Sequence, residues 1–272
     1  MALIMASTKQ GFIETLQERL QPLVQTKDQQ AIRLFCRYFY GIASLDELSA
    51  RQDNDLLGCT LSSWRFLQQF EGGEVKLRVF NPDTQQHGWQ STHTVVEVLH
   101  RDLPFLVDSV RMELTRQGYA IHTLQNSIMT TQRDQQGNLQ ALLETGSQSA
   151  EVRAESLMYI EVDRCTTTAD LRTLQDGLKD ALSNVRVTVR DFPAMQTQVE
   201  TLIGDLKKRS KQFFSSDERA ETVAFLEWLL DDHFTFLGYE CFAVNEGLPK
   251  QRLGLIEGKS LGALSMEPRD ES

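Results

Sequence analysis

Val95-Val96-Glu97-Val98-Leu99-His100-Arg101-Asp102-Leu103-Pro104-Phe105-Leu106-Val107-Asp108-Ser109-Val110 reads as a strand running through a short polar turn into an amphipathic helix. In that helix Leu103, Leu106, Val107, Val110 and Leu114 form one apolar stripe, Asp102 stands where an N-cap is needed, and Gly118 is placed to end it. Ile121 to Thr130 is the next strand, Asp134-Gln135-Gln136-Gly137-Asn138 a polar turn, and Leu139 to Leu143 a returning strand. Leu157 to Val162 follows as a strand with Met158, Ile160 and Val162 on one face. Thr167 and Asp170 then stand at capping-box spacing before a helix striped by Leu171, Leu174, Leu178 and Leu182. Val185, Val187 and Val189 alternate with Arg186, Thr188 and Arg190, the pattern of a strand in a sheet covered by helices on one face and wet on the other. From His93 to Arg190 the order is therefore strand, helix, strand, strand, helix, strand, with two helices over one face of a four-stranded sheet.

Upstream, Phe12, Leu16, Leu20 and Leu23 recur at helical spacing, and Ile32, Phe35, Phe39 and Tyr40 do so again after a polar break. A third helix covers Asp53 to Phe70 and stops at Gly72-Gly73; Val75, Leu77 and Val79 then alternate as a strand, followed by the Asn81-Pro82-Asp83 turn and a hairpin into Trp89. Downstream, a long helix after Asp191 and Pro193 carries Met195, Val199, Leu202, Leu206 and Phe213, with Lys207-Lys208-Arg209 near its C-terminal end. Ser215 and Glu218 form a second capping box before Val223, Leu226 and Leu230, Asp231-Asp232 closes that helix, and Phe234 to Val244 is an aromatic-rich strand. The polar tail from Asn245 to Ser272 shows no core of its own and reads as a chain cut inside a longer protein.

Composition narrows the function. A net charge of -10 over 272 residues argues against nucleic acid and anionic membrane, because a chain without a basic face forfeits the counterion release that drives such binding. Cys36, Cys59, Cys165 and Cys241 are scattered without a C-x-x-C pair and read as reduced thiols of a cytoplasmic protein. The apolar start Met1 to Ser7 lacks the basic and hydrophobic regions of a signal peptide, and no apolar run approaches the roughly 20 residues that a membrane helix needs.

Glu221-Thr222-Val223-Ala224-Phe225-Leu226-Glu227-Trp228-Leu229-Leu230-Asp231-Asp232-His233-Phe234-Thr235-Phe236-Leu237-Gly238-Tyr239 closely resembles a signature of the large bacterial NAD-dependent glutamate dehydrogenases. His93 to Val98 with Asp102 to Val110 is similar to the first ACT-type domain of that family, and the similarity runs in order from about Phe12 to Val244. The resemblance implies an α+β chain: a helical N-terminal cap (1–72), an ACT-like, ferredoxin-like βαββαβ sandwich with an extra hairpin (73–191), a helical connector (192–232), and the start of a second β-containing domain (233–272). It implies a non-catalytic regulatory and oligomerisation segment N-terminal to a dehydrogenase core that interconverts glutamate and 2-oxoglutarate with NAD. Its partners would be the rest of the same polypeptide, other subunits of a homo-oligomer and an amino-acid effector. The alternative is a free-standing ACT-type amino-acid regulator.

ACT domains bind an amino acid near the turn between first strand and first helix, which the resemblance places here at Arg101, Asp102, Leu103, Pro104 and Phe105, with Asp108 beside them. Ligand-binding members often carry glycine after the proline, and Phe105 in that place crowds a ligand approaching the backbone, shifting the expectation from sensor towards scaffold.

Other candidates have plainer explanations. Asp231-Asp232-His233 reads as a polar helix end rather than a metal site, because consecutive positions point in different directions. Gly258-Lys259-Ser260 lacks the upstream glycine of a phosphate loop, and no strand leads into G-x-G-x-x-G, so neither a catalytic nor a cofactor site is expected in this segment. His100 beside Asp102 has the residue types of an acid/base pair, but a strand-end histidine bonded to backbone is the commoner arrangement. Arg186 and Arg190 read as solvated strand charges, and Phe234, Phe236 and Tyr239 as strand core.

Overall fold

The computed structural model describes residues 8–144, 146, 152–208, 215–245, 252–256 and 258–266. Met1 to Ser7, Arg209, Phe213 and Glu267 to Ser272, all used in reading the sequence, lie outside them. The chain divides into two compact units, Met1–Leu182 and Ser183–Ser272.

In the first unit the helices are α1 (Lys9–Leu20), α2 (Gln29–Phe39), α3 (Leu45–Ser49) and α4 (Asp53–Leu67). They lead into β1 (Lys76–Phe80), a one-turn α5 (Thr84–His87), β2 (Thr94–Arg101), α6 (Leu106–Arg116), β3 (Ile121–Arg133), β4 (Leu139–Leu143) and β5 (Val152–Val162). The short α3 is invisible to periodicity, yet Ser44 and Glu47 close a reciprocal capping box on it. The strands form one antiparallel sheet in the order β1-β2-β5-β3-β4. Gly137, at φ 81 in the β3–β4 turn, allows a close approach, since a Cβ there would lie 2.6 Å from the Phe70 carbonyl oxygen.

The α+β, ACT-like class expected from the sequence is what the structure shows, with two corrections. The first concerns Val185–Arg190, which is helix and not the last strand of βαββαβ. It lies inside α7, an unbroken helix from Thr168 to Lys208. Buried Leu174, Leu178, Leu182, Val185 and Thr188 recur every three or four residues and Met195 follows two turns on, so the helical period continues through the valine segment. A three-residue valine alternation fits either period, and burial of the stripe outweighs the weak preference of valine for strands. Pro193 does not break the helix and sits within it. The sheet position beside β2 is filled instead by β1, which precedes β2 in the chain.

The second correction concerns the face expected to be wet. Every residue from Thr94 to His100 in β2 and from Glu155 to Val162 in β5 is buried, on both faces. Val95, Leu99, Leu157 and Tyr159 share one core with Phe12, Leu16, Leu20, Ile32, Phe35, Phe39, Leu56, Trp64 and Leu67 of α1, α2 and α4. The alternate strand residues Val96, Val98, Met158 and Ile160 are buried as well, as are Val110 and Leu114 of α6. The N-terminal helices thus cover a face that the sequence reading left open.

Asp102 is not the N-cap of α6; its amide donates to Ala154 O (2.9 Å), extending the β2–β5 pairing, and the cap is Phe105. Gly118 ends α6 at φ 84, as expected.

In the second unit, α8 (Ser216–Trp228) begins with the expected Ser215–Glu218 capping box and passes into a wide turn, Leu229–His233, where Asp232 is left-handed at φ 54. Ile203, Leu206 and Val223 form a small core flanked by Val199, Leu226 and Leu230; Ile203 takes the inward place expected of Leu202, which is 48% exposed. The aromatic strand resolves into two short ones, β6 (Gly238–Tyr239) and β7 (Phe242–Asn245), paired with β9 (Leu261–Gly262) and β8 (Arg252–Leu255) respectively. Phe234 is exposed rather than core. Arg190 holds Asp191 at 2.8 Å as a helix-surface pair instead of a strand charge.

Candidate functional site

The turn after β2 brings Arg101, Asp102, Leu103, Pro104 and Phe105 together by chain continuity, with Asp108 in the first turn of α6. Phe105 adopts φ 68 and ψ 0, the left-handed region that costs a non-glycine residue about 1–2 kcal/mol. Its carbonyl accepts from Ser109 N (3.0 Å), opening the helix, while its ring is half exposed. Arg101, Asp102, Pro104 and Asp108 are exposed and Leu103 is half-buried. His100 is buried with Nδ1 2.8 Å from the Arg101 carbonyl oxygen, so backbone engages that imidazole.

Sequence reading missed the carboxylates inside the strands. Glu97 on β2 and Glu155 and Glu161 on β5 point to the face under the N-terminal helices, and all three are buried. Each meets an arginine from a different element. Arg78 of β1 pairs with Glu97, which also accepts from Ser63 of α4. Arg133 of β3 grips Glu155 at 2.7 Å and donates to Leu67 O and Gly137 O, tying together sheet, α4 and hairpin turn. Arg51, between α3 and α4, reaches Glu161 at 2.9 Å. A buried charge is tolerated only when paired and hydrogen-bonded, so these pairs set how the helical layer seats on the sheet. The sequence signal was an acid at an interior strand position among aliphatic neighbours.

At the sheet end opposite the β2–α6 turn the ionic groups are denser. Glu161 Oε1 accepts from Tyr159 Oη (2.6 Å) and Arg51, and Oε2 lies 3.6 Å from His93 Nδ1. His93 packs on His122 at 4.2 Å between ring centroids, and His122 Nε2 lies 2.7 Å from Asp163 Oδ1. The Ala120 amide, then His122, hold Asp163 below the usual carboxylate range. Arg51, Asp55, Trp89, Gln90, His93 and Glu161 line part of a cavity of about 480 Å³ here. Among the described residues no group of three or more His, Cys, Asp or Glu side chains is arranged to hold a metal ion. Burial pushes the Cys36 and Cys59 thiols up to about 12, leaving them unreactive at neutral pH.

The first unit is thus an ACT-like sheet with a strand-to-helix turn at one end and an ionic cavity at the other. The family model described as "Glutamate dehydrogenase, ACT1 domain" matches residues 35–178, more than half of the chain, and the chain belongs to that family. It is 47% identical to the NAD-specific glutamate dehydrogenase of Pseudomonas aeruginosa over 96% of its own length and 16% of that protein. Against the NAD-specific glutamate dehydrogenase of Halomonas elongata it is 41% identical over 94% of its length and again 16% of the relative. The match to the Mycobacterium tuberculosis protein of the same name is 23% identical over 57% of this chain. The chain thus spans about a sixth of the length of these two curated relatives. No helix among the described residues is long and apolar enough to cross a membrane.

Proposed function

We propose that this chain is the non-catalytic N-terminal regulatory and oligomerisation segment of a cytoplasmic NAD-dependent glutamate dehydrogenase. The parent enzyme oxidises L-glutamate with NAD and water to 2-oxoglutarate, ammonium and NADH. The observation that carries this reading is an ACT-family sheet in a chain that matches NAD-specific glutamate dehydrogenases over 16% of their length. The absence of a strand leading into G-x-G-x-x-G in the sequence supports a division of labour in which the nicotinamide site lies elsewhere in the parent. With β2 and most of β5 buried on both faces, the outer edges of β1 and β4, the open part of the sheet around Ile128 (50% exposed) and the helix surfaces are what the sheet-bearing unit offers to other subunits or to the rest of the polypeptide. The effector is an amino acid.

Two measurements on the 272-residue chain test this. Calorimetric titration with the twenty amino acids is expected to give saturable heat for at least one, and light scattering a mass above the monomer. No heat across the panel removes the sensing role, and a monomer at every concentration removes assembly by this segment alone.

A further inference from the structure

We propose that the cavity bounded by Arg51, Asp55, Trp89, His93 and Glu161 is the effector site, and that it takes a net-neutral α-amino acid. This rests on the amino-acid-sensing reading above and moves the site to the opposite end of the sheet from the Arg101–Phe105 turn. β2 runs from Thr94 to Arg101, so the eight residues of that strand separate the two places by roughly 25 Å.

The cavity has the size, rigidity and charge pattern for such a ligand. At about 480 Å³ it lies within the usual range for small-molecule sites, roughly 300–1,000 Å³. Part of its lining is anchored by packing and hydrogen bonds. Trp89 is 2% exposed and packs so closely on Gly58 of α4 that a Cβ at 58 would lie 2.3 Å from the Trp89 Cβ. Downstream of that anchor, the His93 amide donates to Ser91 Oγ (3.1 Å) and Arg164 Nη1 to Ser91 O (2.8 Å). A site assembled before its ligand arrives avoids the cost of ordering a loop on binding.

The lining is balanced rather than one-signed. Arg51 spends Nη1 on Glu161, and its Nη2 stands 3.5 Å from Thr123 Oγ1, at the limit of a hydrogen bond. A guanidinium has five N–H donors, so capacity remains for a carboxylate, with His93 beside it as a second donor. On the acidic side, Asp55 Oδ1 is fixed by the Gln90 amide (3.0 Å), and Glu161 Oε2 lies 3.6 Å from His93, longer than a hydrogen bond. Those carboxylates retain acceptor capacity for an ammonium group. A dicarboxylate or nucleotide would bring uncompensated negative charge against Asp55 and Glu161, whereas an α-amino acid presents both signs on adjacent atoms. Trp89, almost wholly buried, closes the cavity on its apolar side.

The test is NMR titration of the isotopically labelled 272-residue chain with glycine, L-alanine, L-serine and L-glutamine, and with succinate as a dianion lacking the amine. The expected result is saturable movement of the Trp89 indole N–H and His93 ring signals with an amino acid and none with succinate. His93→Ala and Asp55→Asn, each first shown to keep the parental urea midpoint, are expected to weaken binding about 10- to 100-fold. Phe105→Ala, at the other end of the sheet, is expected to leave it unchanged. Binding lost in Phe105→Ala but retained in the other two variants overturns this site while amino-acid sensing stands. Equal binding of succinate overturns the ligand class. Silence from all four amino acids overturns the net-neutral ligand proposed here, and silence across the full twenty-member calorimetric panel removes the sensing reading with it.

Discussion

Arg133 and Glu155 face each other across β3 and β5 as a two-pronged ion pair, Nη2 to Oε2 at 2.7 Å and Nε to Oε1 at 2.8 Å, with 1% of each side chain exposed. The same guanidinium donates to the Leu67 carbonyl at the end of α4, so one side chain seats the helical layer on the sheet. Arg133→Met keeps the volume and leaves the Glu155 charge buried without its partner, a change that costs about 3–5 kcal/mol. Urea unfolding of the sheet-bearing unit measures it. A loss below about 1 kcal/mol would mean that the pair does not hold the layers together.

Gly58 and Trp89 make a second contact between layers. A methyl at 58 meets the Trp89 Cβ at 2.3 Å and Cγ at 2.8 Å, and neither is the loose end of a side chain. Gly58→Ala gains up to about 1 kcal/mol of helix propensity and loses about 1–3 kcal/mol to overpacking. The expected net effect is destabilisation with altered Trp89 fluorescence. A variant more stable than the parent contradicts the close approach.

Phe105 holds a left-handed conformation with its ring half exposed. Phe105→Gly and Phe105→Ala both remove the ring, and only glycine relieves the backbone. The glycine variant is expected to be more stable than the alanine variant by about 0.5–1 kcal/mol, the strain relieved exceeding the chain entropy that glycine adds. The reverse order in thermal unfolding would contradict a left-handed residue 105.

Several carboxylates titrate below their usual range. The Ala120 amide lowers Asp163, the Thr167 hydroxyl and amide lower Asp170, and the side chains of Arg190 and Arg116 lower Asp191 and Glu113. A depressed folded value means stability that is fully present above the unfolded value, about 3.9 for Asp and 4.3 for Glu, and lost as pH falls through the folded one. The unfolding midpoint is therefore expected to be insensitive to these groups between about pH 7 and 5 and to fall below about pH 4. A midpoint that rises on acidification to pH 3 contradicts these assignments.

What the sequence made legible follows from which patterns have one structural solution. The β2 strand, its turn and α6 combine a polar junction, a long apolar stripe and a terminating glycine, and the structure keeps all three while moving the cap from Asp102 to Phe105. Val185 to Arg190 lacked that redundancy: three alternating valines fit a strand, while Val185 and Thr188 continue the Leu174–Leu178–Leu182 spacing of a helix. The amphipathic α1, α2 and α4 were readable as helices, but periodicity does not say which surface an apolar stripe will cover. The cavity was illegible for a related reason. Arg51, His93 and Glu161 are far apart in sequence, and only the pairing of Val95 with Glu161 puts the end of β5 beside the residue preceding β2.

A segment that regulates and does not catalyse can be removed without loss of turnover. That role is tested most directly by steady-state NAD reduction by the full-length parent enzyme and by the same enzyme lacking residues 1–272, across glutamate and effector amino-acid concentrations. The truncated enzyme, shown to be folded by its mass and circular dichroism, is expected still to oxidise glutamate at saturating substrate and no longer to respond to the amino acid. A folded truncated enzyme with no turnover at saturation, or one that keeps the full amino-acid response, contradicts that role.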